Sequence, residues 1–164
     1  MLYLLFAALI VLADQLTKLL ALRFLTQGTE VQVLPGLMHW NLSMNTGASL
    51  GMLGGQRWLL VAVSVLAGGA LVWLILKKVF RGKPELLGLS FVLGGAVGNL
   101  IDRALRGSVV DMLFFPWIGK IPLLPDFICN VADVFITFGA VIFLTGYLIA
   151  EVRAAGDKHH EADR

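Results

Sequence analysis

"WLLVAVSVLAGGALVWLIL", Trp58 to Leu76, runs for nineteen residues without one charged side chain. About 20 apolar residues, each rising 1.5 Å, carry a helix across the hydrocarbon layer of a bilayer. In water, such a helix would have to be wrapped on every side by other elements. The 164-residue chain cannot supply that wrapping: it is 58% hydrophobic and only 15% charged, with a mean hydropathy of +0.84. A soluble domain of this size carries roughly a quarter charged residues and leaves too much surface to cover with apolar side chains. The stretch therefore reads as a membrane crossing.

Three further stretches repeat the pattern. Leu2 to Leu22 is an apolar stretch interrupted by Asp14, Gln15 and Lys18. Leu86 to Leu105 carries Asn99, Asp102 and Arg103 at its far end, and Phe127 to Ala150 carries Asn130 and Asp133 at its near end. The first stretch lacks a basic lead-in and continues past its polar residues, so it reads as a retained helix. The expected fold is an all-α membrane protein: four transmembrane helices with a small extracytoplasmic β-sheet region. Residues 1–150 form one membrane domain, and 151–164 are expected to be a disordered cytoplasmic tail.

Short-loop charge sets the orientation. Lys77, Lys78, Arg81 and Lys83 lie between the second and third crossings, and Arg153, Lys158 and Arg164 follow the fourth. Basic short loops stay in the cytoplasm, which places both termini there, although Arg23, Arg57, Arg106 and Lys120 fall near the other face. Residues 26–57 are then outside. Within them "EVQVLPGLMHWNLS" half-alternates around a Pro-Gly turn and reads as one or two short strands. Residues 108–126, with "FFPWIGKIPLLP", read as an outer loop dipping into the headgroup layer.

A net charge of +2 is too mild to argue for nucleic acid. The single Cys129 leaves no intrachain disulfide and no Cys-rich metal site. His159 and His160 in the polar tail are not taken as a metal site. No metal or organic cofactor is expected.

Polar groups inside a membrane must find partners or water, so their spacing is informative. Asn99, Asp102, Arg103 and Arg106 follow i, i+3, i+4, i+7, one face of the third helix; Asn130, Asp133 and Thr137 do the same on the fourth. Asp14 and Lys18 stand at i, i+4, a spacing that permits an ion pair. All three stripes fall near one level, toward the outer face. Gly94/Gly98 and Gly95/Asn99 give the small-xxx-small spacing that lets helices approach closely. "NTGAS", Asn45 to Ser49, is either a plain turn or a donor of backbone N–H groups and the Asn45 amide to a substrate.

Two acids could meet at that level: Asp111, in "GSVVDML", and Asp133. Two carboxylates in a low-dielectric cleft cannot both ionise cheaply, so one can serve as base and the other as acid. No Ser-His, Cys-His or metal set competes for the role. On spacing alone three readings stay open. The acids could hydrolyse an amide; Asp14, Lys18 and Asp133 could relay an ion or solute; or the charges could tie the bundle together, Asp111 pairing with Arg103 or Arg106.

Five blocks, in order, resemble the lipoprotein signal peptidases, the signal peptidase II family of bacterial intramembrane aspartyl proteases: "DQLTK" at Asp14 and Lys18; "NTGAS" at Asn45, Gly47 and Ala48; "GGAVGNLIDR" at Gly95, Asn99, Asp102 and Arg103; "GSVVDML" at Asp111; and "NVAD" at Asn130, Ala132 and Asp133. The resemblance spans roughly Leu4 to Ile149. It implies that Asp111 and Asp133 are the catalytic pair. It also implies that Asn45, Gly47, Asn99, Arg103 and Asn130 line the site, with Asp14 and Lys18 supporting it or guiding substrate. The implied reaction removes the signal peptide from diacylglyceryl-modified prolipoproteins, on the amino side of the lipidated cysteine, at the outer leaflet of the bacterial inner membrane. The expected partners are those prolipoproteins and membrane lipid, and the expected state is a monomer. Leu50 and Cys129 depart from the usual family pattern, where aromatic residues are common.

Overall fold

The computed structural model describes residues 1–47, 53–122 and 126–162. Ala48 and Ser49 of the second block, Leu50 after it, and residues 123–125 of the aromatic loop lie outside them. Four helices are long and apolar enough to cross a membrane: α1 (Leu2–Phe24), α2 (Arg57–Lys77), α3 (Lys83–Leu105) and α4 (Val131–Ala162). α3 is the central one. More than half of its apolar window is buried against the rest of the protein, compared with 17–28% in the other three. Its neighbours are all the other helices.

Glycine rows let α3 take that place. A methyl group on Gly94 would lie 2.8 Å from the Ala7 carbonyl oxygen of α1. On Gly88 it would lie 2.6 Å from Gly139 O of α4, and on Gly139 it would lie 2.7 Å from Gly88 O. Backbone meets backbone at these points, as small-residue spacing allows. Pro84, in the first turn of α3, has no N–H to leave unsatisfied there. The helix ends at Leu105 with Arg106 as its cap, and Gly107, at a φ of 85°, returns its N–H to Asp102 O at 3.1 Å.

At the end of the bundle where α1 and α3 finish and α2 and α4 begin sits an antiparallel sheet, ordered β1-β2-β3-β4. β1 (Glu30–Leu34) and β2 (Met38–Asn45) form the expected hairpin. Its turn has Pro35 followed by Gly36 at φ 70°, and Leu37 N donates to Leu34 O at 3.0 Å. β3 (Val109–Phe114) and β4 (Ile128–Cys129) complete it.

Two expectations change. Residues 108–126 are not simply a loop: β3 is an inner strand, pairing with both β2 and β4. Val109, Val110, Asp111 and Met112 are all buried, so the strand shows no polar-apolar alternation to betray it. α4 begins at Val131 rather than Phe127, and it continues as helix through Ala162, into the stretch expected to be a disordered tail. "EVRAA", which extends it past Ala150, contains no helix breaker.

Candidate active site

The two acids reach one place from different elements. Asp111 stands on β3 opposite Ser43 of β2, and two residues along β2 the Asn45 amide donates to Asp111 Oδ2 at 3.1 Å. Asp133 is in the first turn of α4, and local capping holds it there. Its backbone N–H donates to Asn130 Oδ1 at 3.0 Å, and its own Oδ2 accepts from Asn130 N at 3.2 Å. This is the reciprocal pattern of a capping box, with Asn130 as the cap.

Asn130 then joins the acids. Its Nδ2 donates to Asp111 Oδ1 at 2.6 Å and to Asn99 Oδ1 at 3.1 Å. Asn99 Nδ2 in turn donates to Asp133 Oδ1 at 2.8 Å. Two amides thus leave both carboxylates hydrogen-bonded and facing a cavity of about 1150 Å³. Asn45, Gly47, Asn99, Arg103, Asp111 and Asp133 all line it.

Arg103 brings positive charge to the cavity wall. Its Nη2 donates to Gly47 O at 3.0 Å. Its buried Nε has no hydrogen-bond partner among the described residues. Arg57, its guanidinium 4.8 Å from the Trp58 ring centroid, donates to the carbonyls of Arg103 and Ala104 at 2.8 and 2.6 Å. It thereby satisfies the open end of α3.

Burial raises the Asp111 carboxyl to about 6, and the neighbouring Asp133 charge adds to the rise; hydrogen bonds from Asn130 and Asn45, and the Lys18 charge, oppose it. Asp111 therefore changes protonation near neutral pH, as a proton-transfer group must. Cys129 also faces the cavity. Burial and the two acids push its thiol up to about 12, so it remains a neutral thiol and a poor nucleophile.

Of the nine residues singled out in the sequence, six line the cavity. Asn130, Asp14 and Lys18 are fully buried behind it. Asp14 and Lys18 make the anticipated ion pair at 2.9 Å. Asp111 pairs with neither arginine: Arg103 reaches Gly47, and Arg106 binds Asp102 and Gln15.

Two residues without an assigned place in the expected site turn out to support it. Asp102, on the polar face of α3, is fully buried and accepts from Lys18 Nζ at 3.0 Å and Val110 N at 3.0 Å. The Gln15 amide donates to Asp14, Gly98 O and Asp102. A second charge beside the Asn99 stripe was the available signal.

Comparison with known proteins agrees with this geometry. Residues 6–149 match the family described as Signal peptidase (SPase) II. A lipoprotein signal peptidase of Brevibacillus brevis is 39% identical over 87% of this chain and 91% of its own length. That of Symbiobacterium thermophilum is 36% identical over 92% and 97%. A bacterial membrane enzyme solved at 2.3 Å superposes with a TM-score of 0.80 at 28% identity, covering 95% of this chain and 90% of its own. With five motif blocks in order, two acids on one cavity and a match along almost its whole length, the chain belongs to the signal peptidase II family.

Proposed function

We propose that Asp111 and Asp133 are the catalytic pair with which this multi-pass membrane protease removes signal peptides from prolipoproteins. The observation that carries the assignment is the placing of both carboxylates on one cavity, each tied to the Asn130–Asn99 amide pair.

One ionised carboxylate takes a proton from water, and the oxygen of that water adds to the scissile carbonyl. The other acid, protonated, donates to the carbonyl oxygen. Collapse of the tetrahedral intermediate moves a proton to the leaving amine, and the pair ends with one proton between them. The amine freed is that of the lipid-bearing cysteine. The Arg103 guanidinium, on the cavity wall, offers positive charge to the oxygen that gains negative charge.

The basic turn between α2 and α3 lies at the end of the bundle opposite the sheet. The positive-inside rule then puts both termini in the cytoplasm and the cavity at the outer leaflet of the bacterial inner membrane. There the diacylglyceryl chains stay in lipid while the peptide enters beside β2 and β3. Asn45, Gly47, Asn99 and Arg103 contact it, and the enzyme works as a monomer without metal, organic cofactor or nucleic acid.

The test is cleavage by the purified protein of a diacylglyceryl-modified prolipoprotein, read as a size shift. The lipidated form is cut and the unlipidated form is cut poorly. Equal cutting of the two would remove the lipid from the recognition scheme. Ion flux without a peptide product would replace hydrolysis with transport.

A further inference from the structure

Behind the cavity lies a second pair of carboxylates, and each is fastened to the backbone beside one of the first pair. Asp14 Oδ1 accepts the N–H of Ala132 at 2.9 Å, the residue before Asp133. Asp102 Oδ2 accepts the N–H of Val110 at 3.0 Å, the residue before Asp111. One ammonium joins them: Lys18 Nζ lies 2.9 Å from Asp14 Oδ2 and 3.0 Å from Asp102 Oδ2. Its third bond goes to Asn99 Oδ1 at 2.8 Å. Asn99 is the residue whose amide holds Asp133.

We infer that Lys18, with Asp14 and Asp102, is a positioning clamp that sets the separation of the Asp111 and Asp133 carboxylates. This inference rests on reading those two acids as the catalytic pair.

Three features support it. Asp14, Lys18 and Asp102 are fully buried and line no part of the cavity, so none of them reaches substrate. Lys18 has three donors and three short acceptors, the full capacity of an ammonium. The four formal charges of the group, with Arg106 bonded to the other oxygen of Asp102, sum to zero. A buried cluster holds its shape only when it is paired in this way.

The geometry gives a specific consequence. Each of the two anchoring bonds holds the backbone N–H of the residue immediately before one acid. A shift in Lys18 is therefore passed to both carboxylates while the cavity walls made by β2 and α2 stay put. Misplacing reacting groups by about 1 Å can cost about 100-fold in rate, without the same effect on binding.

Kinetics on a diacylglyceryl-modified prolipoprotein distinguish this role from others. Lys18→Met and Asp102→Ala are expected to lower kcat about 100-fold and leave KM within about 3-fold. Asp102→Asn, which keeps an oxygen for Val110 N–H and Lys18, is expected to recover most of the kcat lost in Asp102→Ala. Thermal unfolding in detergent reports whether each variant is folded.

A rise in KM with kcat retained would assign the group to substrate guidance and overturn the clamp. Near-normal kcat in folded Lys18→Met would also overturn it, as would Asp102→Asn as inactive as Asp102→Ala. If Lys18→Met does not fold, the Asp102 pair decides; loss of folding in all three variants would make the group purely structural and end the proposal. Asp111→Asn and Asp133→Asn, run alongside, separate the two readings. If those retain turnover, the catalytic pair itself is misassigned; if they are inactive and Lys18→Met is normal, only the clamp fails.

Discussion

Asn130 Nδ2 donates to Asp111 Oδ1 at 2.6 Å, the shortest of the hydrogen bonds that reach either acid. The same side chain caps the helix that carries Asp133. Replacing it removes a support from both acids at once. Asn130→Ala is expected to reduce kcat about 100-fold. It should also raise the Asp111 pKa further, because a bond that favours the charged carboxylate is lost. A pH–rate series on the variant checks both, with its alkaline limb displaced upward.

If Asp111 and Asp133 act as the proposed pair with one proton between them, the rise of the Asp111 carboxyl to about 6 sets the pH range in which that proton is lost. The kcat/KM profile is expected to fall as pH rises through that region, reporting the free enzyme. The kcat limb should lie higher, since bound lipopeptide excludes water and adds to the burial that already raises the group. A profile flat from pH 5 to 8 would contradict the assignment.

Asp111 also links pH to stability. Its folded pKa of about 6 lies above the ordinary 3.8, so the folded state favours the protonated form. The stability tied to that form is complete below 3.8 and is lost as pH climbs to about 6. Asp111→Asn removes this loss. The variant is expected to be inactive, yet to gain in melting temperature over wild type as pH is raised from 4 to 7, measured by unfolding in detergent. Asp133→Asn should be equally inactive.

Cys129 faces the cavity but carries a thiol pushed up to about 12. Cys129→Ala is expected to retain cleavage within about 3-fold, since a neutral buried thiol behaves as a small apolar group. Slow alkylation by iodoacetamide at pH 8 would confirm the unreactive thiol; rapid alkylation would not fit.

Gly88 and Gly139 bring α3 and α4 into backbone contact. Gly88→Leu has no room for its side chain and is expected to destabilise the bundle by about 1–3 kcal/mol. At Gly69 of α2 an added methyl group would meet nothing within 4 Å, so alanine should be accepted there without loss. Paired melting curves in detergent make the comparison.

Much of this architecture could be read from the residues. Uncharged stretches such as Trp58–Leu76 have only one stable environment, so the crossings were legible. The polar stripes were equally plain, because a membrane helix carries Asn99 or Asp133 only where something meets it. β3 was hidden because burial on both faces erases the alternation that marks a strand. Asp102 was visible on its face, but its role was hidden for a different reason. Its partners, Lys18 and the Val110 N–H, belong to another helix and to a strand, and pattern along a single helix shows a face but not what it faces.

The bond from Ala132 N–H to Asp14 spans 118 positions of the chain. During synthesis, therefore, the first helix waits in the bilayer with a carboxylate and an ammonium already matched to each other, while their remaining partners have yet to leave the ribosome. On the proposed assignment, both acids share one cavity only once the last crossing has docked. A product truncated before that point is then expected to cut nothing in the membrane around it.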